Sequence, residues 1–388
     1  MTHKTFVPDL ITPARETPLA ASAPPIFQAS SFLFETYAQI EAVFSGRSDQ
    51  LVYSRGDNPT VSELEALIAR LEGTEAARGF SSGMAAICGA VLPFVKSGDR
   101  IVAIEHVYSD AYRLFETVLR RFGVETIYVD GTDTEAVIAA LPGARLVYLE
   151  SPTSWTFRLQ DLGSIAAAAQ HHGVISVIDN SWATPIFQNP AALGIDLIVH
   201  AASKYLSGHS DTLGGLVAGS SAMITQIDHE ATHLFGGRMS PMDAFLVLRG
   251  MRTLELRMHA HMQTGMTLAG ALNAHPMVTK VHHPGLLAEH PAGLRGYGGL
   301  FAFDLAEGVN VEQFCDALHV IRLGVSWGGP ESLIVPGQAA CGLAGAANSF
   351  QRFKVSPRTI RLAAGLEPAD VLLADLTQAI DQAQAIAA

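Results

Sequence analysis

Cysteine is scarce in this chain. Cys88, Cys315 and Cys341 stand far apart among 388 residues. They offer neither a disulfide framework nor the paired spacing of a zinc site, and a reducing cytoplasm is the simplest expectation. Basic residues are also short: 25 Lys and Arg against 37 Asp and Glu give a formal charge of −12. That balance argues against nucleic acid or an anionic membrane as the main partner. It leaves room for a small anion held by backbone amides and a few cations. No uninterrupted apolar run reaches bilayer-spanning length, and the opening MTHKTFVPDLITPARE has no apolar signal-peptide core. The expected setting is cytoplasmic. With 16% charged and 48% hydrophobic residues, the chain has ample material for an extensive core and for a subunit interface.

Such a length fits a large domain with a smaller one beside it. Residues 1–55 carry Pro8, Pro13, Pro18, Pro24 and Pro25 with little helical periodicity and read as an extended arm. Residues 56–249 alternate short apolar runs with helical patterns, for example RIVAI before YRLFETVLRRFG and ARLVYLE after it. This predicts an α/β domain, a mainly parallel sheet between helices. Residues 250–388, with strands at 299–305 and 359–365, predict a smaller α+β domain. Thr60 with Glu63 fits a capping box ahead of the stripe Leu64, Leu67, Ile68 and Leu71, which ends at Gly73. Ser240–Pro241 opens a helical pattern running to about Ala274, with Gly250 as the expected bend. The pairs His259/His261, His171–His172 and His282–His283 lack a third ligand at useful spacing, so no metal is expected.

The chemistry concentrates in residues 174–211. One apolar run (Val174, Ile175, Val177, Ile178) stops at Asp179; a second (Ile195, Leu197, Ile198, Val199) leads to Ser203 and Lys204. Buried parallel strands deliver functional groups at their carboxyl ends. One acid and one lysine therefore reach the same sheet edge. Taken singly, the acid suits a turn and the lysine a solvated loop. Together they are what pyridoxal phosphate (PLP) requires: a lysine to hold its aldehyde and an acid to keep its ring nitrogen protonated. Upstream, Gly79-Phe80-Ser81-Ser82-Gly83 fits two patterns. One is the G-x-S-x-G elbow of a serine hydrolase, with Ser81 as nucleophile and Asp179 and His209 as partners. The other is a phosphate cradle at a helix start, which the lysine favours.

DNSWATP (179–185), ASKYLSGHSD (202–211), YSRGDNPT (53–60) and SSGM (81–84) together resemble the Cys/Met-metabolism family of PLP enzymes over nearly the whole chain. The resemblance implies an aminotransferase-like (fold type I) large domain and pyridoxal 5'-phosphate as cofactor. It assigns Lys204 as the catalytic, cofactor-bearing lysine, and Tyr108 as the aromatic residue stacked on the cofactor ring and part of the catalytic apparatus. Asp179 falls at the ring nitrogen. Ser82, Gly83, Met84 and Ser203 fall at the phosphate, where Tyr53 and Arg55 arrive from a partner subunit. A homo-oligomer follows, a tetramer of two active-site dimers. Ser326 and Trp327 in SWGGPESLI, and Arg361 in RLAAGLE, match the substrate side, with Arg361 on the α-carboxylate of an amino-acid thioether. ESPTSW (150–155) and SWGG lie nearer the bacterial cystathionine β-lyase pattern, which implies cleavage of L-cystathionine to homocysteine, pyruvate and ammonia. The alternatives are cystathionine γ-synthase or O-acetylhomoserine sulfhydrylase chemistry. Four departures bear on the site. Ser109-Asp110 follows Tyr108 where small residues are usual, and methionine γ-lyases carry Cys at position 110. Ala201 replaces a frequent Ser, Pro330 an aromatic or aliphatic residue, and segment 290–299 is short.

Overall fold

The computed structural model describes residues 10, 21–345 and 347–384; the arm prolines at 8, 13 and 18 lie outside these. A seven-stranded sheet carries the larger part of the chain: β1 (Ala76–Phe80), β2 (Arg100–Ile104), β3 (Glu125–Val129), β4 (Leu146–Glu150), β5 (Ile175–Asp179), β6 (Leu197–Ala201) and β7 (Gly215–Gly219). Its order is β1-β7-β6-β5-β4-β2-β3. Strands β3, β2, β4, β5 and β6 run parallel, and β7 runs antiparallel to both β6 and β1. Ile101, Val102, Ala103 and Ile104 are all fully buried, as helix-covered parallel strands require.

The second sheet holds β8 (Val278–His282), β9 (Leu300–Leu305), β10 (Arg322–Leu323), β11 (Leu333–Pro336) and β12 (Thr359–Ala363) in the order β10-β11-β12-β9-β8. Phe301, Phe303 and Phe314 fill its core with Leu372, Leu376 and Ile380 of the helix Ala369–Gln382. The described part of the arm is largely irregular. One helix, Tyr37–Phe44, departs from the extended reading; it is closed by a capping box between Thr36 and Gln39.

Two local expectations change. The helix Pro59–Glu72 starts on Asn58, whose side chain accepts from Thr60 N. Pro59 fixes the first helical turn, and the Thr60 hydroxyl instead ties down the arm through Phe27 N and Pro25 O. The long pattern after Ser240 is two helices, Pro241–Met251 and Leu254–Asn273. Gly250 lies inside the first rather than at a bend. It permits close packing: a Cβ there would lie 2.0 Å from the Ser207 carbonyl oxygen. Arg257 closes the same contact, donating to Tyr205 O at 2.7 Å and Gly250 O at 2.8 Å. The loop carrying Lys204 is thereby pinned from below.

Gly250→Ala should therefore destabilise the fold by about 1–3 kcal/mol through forced separation of helix and loop. Gly270→Ala, in a helix with no atom within 4 Å of the new methyl group, should be neutral or stabilising by up to about 1 kcal/mol. Thermal unfolding midpoints of the two variants check this opposition.

Candidate active site

The parallel register of β4 and β5 sets Glu150 directly beside Asp179. Both strands end there, so two half-buried carboxylates face the same edge. Asp179 Oδ1 accepts from Ser181 N at 2.9 Å, and Ser181 Oγ in turn accepts from Ala201 N at 2.7 Å. Glu150 accepts from Tyr108 N at 2.6 Å. Burial pushes both carboxyls up. Glu150 is raised further by the Asp179 charge, while Ser181, His200 and Lys204 oppose the rise at Asp179. Like charges at this separation keep one proton on the pair above the ordinary carboxylate range.

Lys204 follows β6, whose partner β7 returns antiparallel, so the amine sits in a closed connection between adjacent strands. Its Nζ donates to Ser326 Oγ at 2.5 Å and lies 5.4 Å from the Trp327 ring centre. Burial lowers its pKa to about 8, helped by the Arg361 charge and opposed by Asp179. Arg361, on β12, is half-buried and donates to Ser326 O at 3.4 Å. Among the described residues no carboxylate lies within ion-pair distance of it, and burial pulls its pKa down to about 10. Ser326 holds φ +80 and Gly328 φ +88. A Cβ on Gly328 would meet Tyr205 N at 2.8 Å, so this tight segment needs its glycine to bring Ser326 and Trp327 to Lys204.

Tyr108 precedes the short helix Ser109–Arg113, and its hydroxyl donates to Asp110 Oδ2 at 2.9 Å. Asp110 is also held by Arg113. Burial and the Asp110 charge raise the Tyr108 pKa, so the phenol keeps its proton. Ser82 caps the helix Gly83–Val91 by accepting from Ala85 N at 3.1 Å. A Cβ on Gly83 would come within 2.8 Å of Ala201 Cβ; the small residue at 201 and the glycine at 83 thus fit one another. Met84 is half-buried against the core, and Ser203 is half-buried one residue before the lysine.

Tyr53 and Arg55 differ from the rest. Both are exposed; Arg55 lies over the Tyr53 ring at 5.8 Å and donates to the His233 carbonyl. The hydrolase arrangement is not assembled. His209 turns one ring nitrogen to Ser207 O, Asp179 accepts from Ser181, and Ser81 is exposed. Three residues at the site carry roles that sequence reasoning missed: Glu150, Ser181 and Trp155, whose ring faces Arg361. Glu150 had a signal, because the runs VYLE and SVID both end in an acid. Trp155 had none.

A family model described as Cys/Met metabolism PLP-dependent enzyme matches residues 11–381. The chain belongs to this family. It is 36% identical to L-methionine gamma-lyase of Pseudomonas putida (93% of this chain, 92% of the relative). It is 37% identical to cystathionine gamma-lyase of Bacillus subtilis (92% and 93%) and 34% identical to cystathionine beta-lyase of Lactococcus lactis (92% and 93%). The solved cystathionine gamma synthase of Xanthomonas oryzae pv. oryzae superposes with a TM-score of 0.89 at 33% identity, over 97% of each chain. The expected fold type I architecture and PLP dependence stand on these findings. The residues present fit that cofactor. A depressed-pKa lysine, a strand-end acid and a glycine-led helix start converge on one sheet edge, and Lys204 has no carboxylate within ion-pair distance among the described residues. No helix of the described residues is long and apolar enough to cross a membrane.

Glu150 gives a pH signature. Its raised pKa means the folded chain keeps a proton that the unfolded chain releases near the ordinary value of about 4.3. The stabilisation is complete below that value and is lost as pH rises through the folded-state pKa. Glu150→Gln mimics the protonated acid. Thermal midpoints of the cofactor-free proteins at about pH 5 and about pH 8 should fall less in the variant than in the wild type.

Proposed function

We propose that this enzyme is a carbon–sulfur β-lyase that converts L-cystathionine and water to homocysteine, pyruvate and ammonia. The observation that carries this reading is the hydrogen bond from Tyr108 to Asp110. It commits the phenol as a protonated donor and leaves Lys204, lowered to about 8 and bonded to Ser326, as the base on the substrate side. One base is enough for β-cleavage: it takes the proton from Cα and returns it to the departing sulfur. A γ-reaction must also move protons at Cβ and asks for a second group.

PLP, when bound, supplies an electron sink for the charge developing at Cα. This chain's residues do the rest. Arg361 takes the substrate carboxylate in the bidentate manner for which guanidinium is suited, and so fixes which Cα bond faces Lys204. Ser326 accepts from the lysine and holds it in reach; Trp327 walls the same side. With PLP bound, Asp179 would hold its ring nitrogen while Glu150 keeps the shared proton, Tyr108 would stack on its ring, and Ser82, Gly83, Met84 and Ser203 would hold its phosphate. Tyr53 and Arg55, both exposed, would serve the corresponding site of a second copy, which makes the working unit a homo-oligomer, proposed as a pair of such dimers.

The similarity to a methionine gamma-lyase and a cystathionine gamma-lyase supports a second reading, cleavage at Cγ. The cofactor-loaded protein with L-cystathionine decides between them. Pyruvate is the expected oxo-acid; 2-oxobutyrate would move the broken bond to Cγ and overturn the β-lyase reading. Lys204→Ala should abolish turnover while leaving the far-UV circular dichroism unchanged, and substantial residual cleavage would remove Lys204 from its role. Arg361→Ala should raise KM well above its effect on kcat. Because the guanidinium helps depress Lys204, its loss should also shift the basic-group limb of the kcat/KM profile to higher pH. An unshifted limb would contradict the electrostatic coupling.

A further inference from the structure

Arg361 is a half-buried cation with a single long hydrogen bond to protein, to Ser326 O at 3.4 Å. Something else must hold its guanidinium plane still before substrate arrives. The group in place is Trp155: the Arg361 Cζ lies 5.5 Å from the centre of its ring. Trp155 is 7% exposed, and it makes a T-shaped contact with Phe350, centroids 5.0 Å apart at 88°. Ala340, Val355, Val335 and Cys341 complete the apolar seat. Val335 is the register partner of Arg361 across β11 and β12, so the seat and the arginine share one sheet.

The loop that delivers Trp155 is built to hold it there. Trp155 has φ +65 and Phe157 φ +49, left-handed conformations that bulky residues seldom adopt. Thr153 closes the turn, accepting from Phe157 N at 3.1 Å through its carbonyl and pairing with Thr156 Oγ1 at 2.9 Å. A strained backbone fastened on both sides marks a side chain whose position matters.

We propose that Trp155 is the positioning residue for substrate-carboxylate recognition. Its ring face fixes the Arg361 guanidinium by a cation–π contact, and it anchors the end of β4 to the smaller sheet at that point. A flat π face suits this task because it holds a cation without neutralising it, which leaves the full charge for an incoming carboxylate. An acid in the same place would compete with substrate. The inference rests on the carboxylate role of Arg361 in the proposed function, and not on which C–S bond is cut.

The test uses cofactor-loaded protein and two ligands without a leaving group: L-alanine, and ethylamine, which lacks the carboxylate. Binding is read from the visible absorbance of the cofactor. Trp155→Leu should weaken L-alanine by about ten-fold, the range of a largely desolvated cation–π contact, and leave ethylamine unchanged. Trp155→Phe keeps a π face and should restore most of the L-alanine affinity. Equal weakening of both ligands by Trp155→Leu would reduce Trp155 to packing and overturn the proposal. So would Leu and Phe variants that behave alike, or a Leu variant that binds L-alanine like the wild type. Arg361→Ala separates the two layers of inference: if it retains the wild-type preference for L-alanine over ethylamine, the carboxylate role of Arg361 falls, and the role of Trp155 falls with it.

Discussion

The site depends on a lysine that must be able to shed its proton while lying close to an acid it must not neutralise. Half-burial alone moves the Lys204 amine in the right direction, and Asp179 pulls it back. Burial is the larger cause, and Arg361, which comes from β12 of the other sheet, adds to it against Asp179. A fixed positive charge contributes only if it is held close, so a strand of the smaller sheet takes part in setting the amine on the larger one. The tight turn at Ser326 and Gly328, the stacked Trp155 and the helix pair around Gly250 all maintain that proximity.

A second consequence follows from strand register. Parallel pairing of β4 with β5 brings two acids to neighbouring strand ends. Each is raised by burial, and they cannot both ionise cheaply. In the proposed function Asp179 would be the anion toward a cationic ring nitrogen, while Glu150, which receives the Tyr108 amide, would carry the proton. Both acids accept a backbone N–H, Asp179 from Ser181 and Glu150 from Tyr108, and they differ in that Lys204 and His200 oppose the rise only at Asp179.

Much of this was legible in the chain. The apolar runs ending at Asp179 and Lys204 gave both the sheet edge and the pair of groups on it, since strand period and burial are local properties. The helix Pro59–Glu72 was readable for the same reason, although its cap, Asn58, lies two residues before the Thr60 that the Thr60–Glu63 pattern suggested. Gly250 was misread because helical periodicity cannot distinguish a bend from a place where another backbone passes at contact distance. Trp155 escaped entirely. Its partner is remote in sequence, and an aromatic after a strand is common in any core. The departure at Asp110 was visible as an anomaly; only its hydrogen bond to Tyr108 gave it meaning.

The lysine's connection runs between adjacent strands β6 and β7, with Ala202 N bonded back to Gly214 O at 2.9 Å and Arg257 braced beneath. The segment is thus closed at its base and supported from below. Rigidity is therefore unevenly shared around the site. The opposite wall hangs from β10, two exposed residues long, through Val325, which is 80% exposed. That wall therefore hangs from an edge strand paired on one side only, whereas the amine's connection is bonded across its base and braced by Arg257.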